Sequence, residues 1–147
     1  MNWRYRLDQP YHHASANLQG VEFRNDWIDV RHGSIVIQPG YAWDGCSPAW
    51  RLPAGLWIGT PDGPLMPEGR PQTFYASLVH DALCQWKREI PLRKAATVAL
   101  FAELLQAAGF PSWRVRLYAG AVARFGPQRF GGDVMTVKSR VNRLNSF

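Results

Sequence analysis

Two short stretches of this chain concentrate the side chains that could do chemistry. The first is Asp44-Gly45-Cys46-Ser47, which sets a carboxylate, a thiol and a hydroxyl around a glycine; the second is the run 74–86, with Ser77, His80, Asp81 and Cys84. At about 100° per residue on a helix, these four fall within about 100° of one another, and Tyr75, Leu78, Val79, Ala82, Leu83 and Trp86 share the other side. If the 44–47 turn folds over that helix, an imidazole meets carboxylates, a hydroxyl and a thiol, the set that nucleophilic or general acid–base chemistry needs. His80 would carry the proton, Asp44 or Asp81 would orient it, and Ser47 or Cys46 would attack. The same Asp44, His80 and Asp81 could instead hold a divalent metal with positions left open for water. Adjacent helix residues diverge by about 100°, however, and rarely reach one ion.

The same residues also have a structural reading. Asp44 before Gly45 is a common turn carboxylate, Ser47 before Pro48 can cap a turn, and a His-Asp pair on a helix can anchor a neighbouring loop. The chain has no phosphate-binding glycine loop, no His-Glu-x-x-His, no Gly-x-Ser-x-Gly and no Cys-x-x-Cys. That weighs toward fastening over catalysis.

The elements that must position these groups follow from periodicity and turn chemistry. Residues 3–7 alternate apolar and basic and read as a short strand; residues 10–20 read as a loop, with His12 and His13 on its surface. Residues 21–23, 26–30 and 35–37 are strand-like, and Arg31-His32-Gly33-Ser34 supplies a hairpin turn. Residues 52–71 are rich in proline and glycine and predict an irregular connection, anchored by Leu56, Trp57, Ile58 and Leu65. Helix one is expected over 72–86 and helix two over 91–108, with Pro91 in its first turn and Gly109 as its stop. Helix two is apolar on most sides and should be the central packing element. Helix three opens at Pro111 and ends at Gly126-Pro127; a short strand near 134–137 and an extended tail complete the chain.

A length of 147 residues with 46% hydrophobic content supports one domain with a real core. The expected organisation is a single α+β domain over 1–127, with a small N-terminal antiparallel β-sheet packed on three C-terminal helices, and a basic extension over 128–147. No leader and no apolar run long enough to span a membrane is evident, so no secretion signal is expected. Cys46 and Cys84 are expected as free thiols. The net charge of +6 is uneven: residues 1–86 sum to −2 and residues 87–147 to +8. A basic half favours an acidic partner. Sequence-specific nucleic-acid binding is disfavoured, because the basic residues are scattered and form no reading motif.

The order Gly40-Tyr-Ala-Trp-Asp-Gly-Cys-Ser-Pro48, then Gly59-Thr-Pro-Asp-Gly63, then Ala76-Ser-Leu-Val-His-Asp-Ala-Leu83, followed by helical 101–109 and 118–126, resembles the family called domain of unknown function 1353, found in tailed phages and prophages. The likeness covers roughly residues 33–132. It implies a bacteriophage origin, a location in the host cytoplasm or virion, and Asp44, Gly45, Ser47, Pro48, His80 and Asp81 as the shared pattern. Cys84 stands where the family often has tyrosine, and Val98 where it often has an acid. The expected function is that of an accessory or virion-associated protein acting through phage or host protein partners. The alternative is a small hydrolase, metal-assisted or not, acting on cell-wall or nucleotide substrates through Asp44, Ser47, His80 and Asp81.

Overall fold

A computed structural model describes residues 5–43, 49–51, 57–59 and 72–133, with the side chains of 49–51, 57–59 and 125 excepted. The fold is α+β: antiparallel sheets in the N-terminal part and three helices in the C-terminal part. Strands β1 (Tyr5–Arg6), β2 (Tyr11–Ala14), β3 (Phe23–Arg24), β4 (Ile28–Arg31), β5 (Ser34–Ile37), β6 (Ala42–Trp43), β7 (Ala49–Arg51) and β8 (Trp57–Gly59) precede α1 (Phe74–Gln85), α2 (Lys94–Ala107) and α3 (Ser112–Phe125). The main sheet runs β2-β5-β4-β3, β1 pairs with β6, and β7 pairs with β8.

Alternation builds the main sheet. Ile28 and Val30 of β4 and Ile35 and Ile37 of β5 are almost wholly buried, while Asp29 and Arg31 lie on the other face and pair with each other at 3.3 Å. His32 and Gly33 join β4 to β5 with φ of +51° and +73°, the sign that a two-residue hairpin of matching twist demands.

The stretch 10–20, expected as a loop, instead holds β2 and a 3₁₀ turn (Ala16–Leu18). Its Tyr-His-His-Ala lacks the β-branched residues that mark strands, and it is made a strand by pairing with β5, Tyr11 to Ile37 through Ala14 to Ser34. Its residues alternate, so His12 is exposed and His13 partly buried. The expectation of two surface histidines holds for one of them.

Helix α2 packs against both α1 and α3, as its apolar composition predicts. It starts at Lys94, not Pro91. Ile90 to Arg93 make a tight approach with Leu92 N–H donating to Ile90 O, and the helix N-terminus is then capped from far along the chain: Lys94 N–H donates to Asp133 Oδ2 at 3.0 Å. Residues 128–133, expected as part of a basic extension, pack on the domain. Phe130 is 2% exposed, and Gly131 and Gly132 lie so close to the backbone of 88–93 that a Cβ on either would overlap it. The expected strand near 134–137 lies outside the described residues.

Candidate functional site

The side of α1 that carries Ser77, His80, Asp81 and Cys84 does not face solvent as a whole. Eight of the twelve α1 residues are buried, and Ser77 and His80 are among them. The sheet, α2 and the β6 strand enclose this helix on more than the one apolar face that periodicity assigned to it.

Ser77, His80 and Cys84 have the neighbours that follow, and Asp81 is partly buried beside them. Ser77 Oγ accepts the Trp43 indole N–H at 3.0 Å and donates to the Phe74 carbonyl at 3.0 Å. That bond ties the last residue of β6 to the helix. Trp43 is 1% exposed and packs edge-on against Phe74 at 4.8 Å between ring centres, with Tyr5 at 5.6 Å from both. Trp43, the residue just before the 44–47 turn, is thus fastened to α1. Asp44, Gly45, Cys46, Ser47 and Pro48 lie outside the described residues.

His80 is 4% exposed, 5.2 Å from the Phe101 ring of α2, with Cys84 Sγ 3.6 Å from Nε2 and 3.8 Å from Nδ1. Burial, with a smaller contribution from the Lys94 charge, lowers its pKa from the ordinary 6.5 to about 4, so the ring is neutral at pH 7. Burial, and secondarily Asp81, pushes the Cys84 thiol up to about 12, against the smaller opposing pull of Lys87 and Lys94. A protonated thiol in such surroundings is a poor nucleophile. One helical turn on, Gln85 Oε1 accepts the Tyr41 hydroxyl at 3.0 Å, and burial raises that phenol far above its usual range, with Asp81 and Cys84 adding to the effect.

For a metal, the expected ligands are Asp44, His80 and Asp81. Among the described residues no three His, Cys, Asp or Glu side chains lie close enough to hold an ion. His80 and Asp81 thus supply at most two donors from the described part of the chain.

A second polar cluster went unpredicted. Glu103 of α2 accepts from Ser15 Oγ at 2.6 Å and from Asn17 Nδ2 at 3.4 Å, and His13 Nε2 stands 3.6 Å from its other oxygen. His13 Nε2 is buried and makes no hydrogen bond. Ser15 Oγ also accepts from Asn17 N–H, capping the 3₁₀ turn. Tyr11 stacks on Tyr75 at 4.6 Å, and burial, then Tyr75 and Glu103, push its hydroxyl up to about 12. The available signal was the period-two spacing of Tyr11, His13 and Ser15 together with the lone acid of α2. The cluster pins β2 and the 3₁₀ turn to α2 through Glu103.

In comparisons with known proteins, no family model, no curated protein and no solved structure matches the chain. The class defined by fold and site is thus an α+β domain whose reactive-looking helix side is largely internal.

Proposed function

We propose that this chain is a phage- or prophage-encoded accessory or virion-associated protein, kin to domain of unknown function 1353, that works in the host cytoplasm or virion by docking an acidic protein partner. The observation that carries this reading is the outer face of α3. Trp113 is 63% and Leu117 62% exposed, one helical turn apart. Arg116, Gly120, Ala123 and Arg124 are also exposed and fall within about 120° of this pair, opposite the buried Val115, Tyr118 and Val122.

Helix α3 carries three arginines and no acid. Arg114 turns inward, its guanidinium 4.6 Å from the Phe110 ring centre and donating to the Tyr118 hydroxyl at 3.2 Å, which leaves Arg116 and Arg124 on the outer face. Two apolar anchors at i and i+4, rimmed by positive charge, fit an apolar groove with an acidic rim. Residues 134–147 add three basic side chains and no acid to the same half of the chain. No helix among the described residues is long and apolar enough to cross a membrane.

A hydrolase built on Asp44, Ser47, His80 and Asp81 is the weaker reading, because His80, its proton carrier, is 4% exposed and lies against Phe101 and Cys84. To test the docking reading, a photo-crosslinking residue placed at 117 should trap a discrete protein in native host cells, and the purified partner should bind the wild type. Arg116→Glu and Trp113→Ala should each weaken that binding roughly tenfold or more at an unchanged melting temperature. Equal binding by the variants, or turnover of a cell-wall or nucleotide substrate that His80→Ala abolishes, overturns it.

A further inference from the structure

We propose that the partner covers α3 with an acidic, amphipathic α-helix of its own that crosses α3 closely at Gly120, an inference that rests on the docking reading of this face. What carries it is a glycine with no use inside its own chain. Eight glycines lie among the described residues outside the β7–β8 hairpin. Gly20, Gly33, Gly40 and Gly109 have φ of +73° to +92°, which side chains rarely adopt. Gly126, Gly131 and Gly132 leave no room for a Cβ, which would overlap the Val122 carbonyl or the backbone of 88–93. Gly120 has neither reason. It lies inside α3 without a positive φ, and a Cβ on it would meet nothing within 4 Å. In a helix interior only proline is less favourable, so the chain gives up stability at this position without gaining a contact.

The place of the glycine says what the open space is for. At about 100° per residue, Gly120 points roughly 170° away from the mean direction of the buried Val115, Tyr118 and Val122, at the middle of the exposed arc. Arg116 and Leu117 stand four and three residues before it, Trp113 seven before and Arg124 four after, all of them exposed. The outer face of α3 is therefore a notch floored by bare backbone, with apolar and basic side chains standing around it.

The notch selects a helix as its occupant. Ridges of side chains on one helix seat in the gaps of another, and a glycine in the gap lets the two backbones come closer than the usual 8–10 Å between axes. An extended segment gains its affinity from main-chain hydrogen bonds, and the interior of α3 has already spent its own N–H and C=O groups along the helix. Charge selects the side chains. Arg116 and Arg124 bracket Gly120 about 12 Å apart along the axis, and α3 carries no acid. Carboxylates on either side of the crossing would meet them, while apolar residues between take Trp113 and Leu117. Two copies of α3 laid on each other would instead set arginine against arginine.

The test uses the full chain and the partner trapped through a photo-crosslinking residue at 117, purified, with binding read by calorimetry. Gly120→Ala should raise the melting temperature by roughly 3–6 °C and yet weaken binding roughly fivefold or more; Gly120→Leu should weaken it roughly fiftyfold or more. On a face that offered only apolar area, leucine would add contact and tighten binding. Crosslinks from 117 and 123 should fall in one partner segment, at positions three, four or seven apart. If both Gly120 variants bind as tightly as the wild type or tighter while Trp113→Ala weakens binding, the close helix crossing is overturned and docking through α3 stands. Crosslinks in two separate segments, or on alternate residues of one, also overturn it. If no protein is trapped at 117, or Trp113→Ala and Arg116→Glu bind like the wild type, docking and crossing fall together.

Discussion

Helices α1 and α3 read alike in the sequence, each with an apolar side and a side of polar or charged groups, yet the fold uses them in opposite ways. In α1 the side bearing a hydroxyl and an imidazole is inside, with Ser77 and His80 at 2% and 4% exposure. In α3 the tryptophan and a leucine are outside, both above 60% exposed. The difference lies in what surrounds each helix. Helix α1 is gripped by α2 and by Trp43, so it has little free surface; α3 packs on α2 with its inner side only. A reactive side chain enclosed by aromatic rings and satisfied partners contributes to stability, and an apolar one left in water is available for binding.

The largest test of this contrast is at Trp43. Trp43→Ala removes a fully buried indole packed on Phe74 and Tyr5 and leaves Ser77 without its donor. Burial losses of this kind cost about 3–5 kcal/mol. Urea unfolding should show that loss with the slope unchanged. A change under about 1 kcal/mol would mean that the β6–α1 contact is not what holds the helix in place.

Next in size is the pH dependence set by His80. With a native pKa of about 4 against an ordinary 6.5, the unfolded chain binds a proton between those values that the native one refuses. Stability is therefore independent of this group above about pH 7, falls as pH drops through 6.5, and levels off below about 4, for a total of about 3 kcal/mol. His80→Leu should flatten the denaturation free energy between pH 7 and pH 5, a window in which ordinary carboxylates stay ionised. An equally steep profile in the variant would place the titration elsewhere.

How much of this was legible in the residues depends on the reach of the interactions. The α+β class, the 31–34 hairpin turn, the three helices and the central place of α2 follow from local periodicity and punctuation, which neighbouring residues determine. The expected meeting of Asp44, Cys46 and Ser47 with the polar side of α1 falls on residues outside the described part of the chain, and the Trp43–Ser77 bond beside them was not foreseen. Other features depend on partners far along the chain. The α2 start is set by Asp133, 39 positions after Lys94, and β2 exists because β5 pairs with it. The Glu103 cluster joins Glu103 to residues 86 (Asn17), 88 (Ser15) and 90 (His13) positions away in sequence. Helical spacing alone placed Ser77 and His80 on the polar side of α1; it could not say that Phe101 and Trp43 would close over them.

The smallest expected effect falls on α3 and makes the contrast sharpest. Leu117→Ser removes an apolar side chain that is 62% exposed and contributes little to the core, so stability should change by no more than about 0.5 kcal/mol. The inward side of the helix behaves otherwise: Val122, 1% exposed on the opposite side of α3, should cost about 2 kcal/mol or more when cut to alanine. Thermal melts of the two variants beside the wild type measure the difference directly. If Leu117→Ser destabilised the fold as much as Val122→Ala, the outer face of α3 would belong to the core, and its apolar pair would have no surplus to offer a partner.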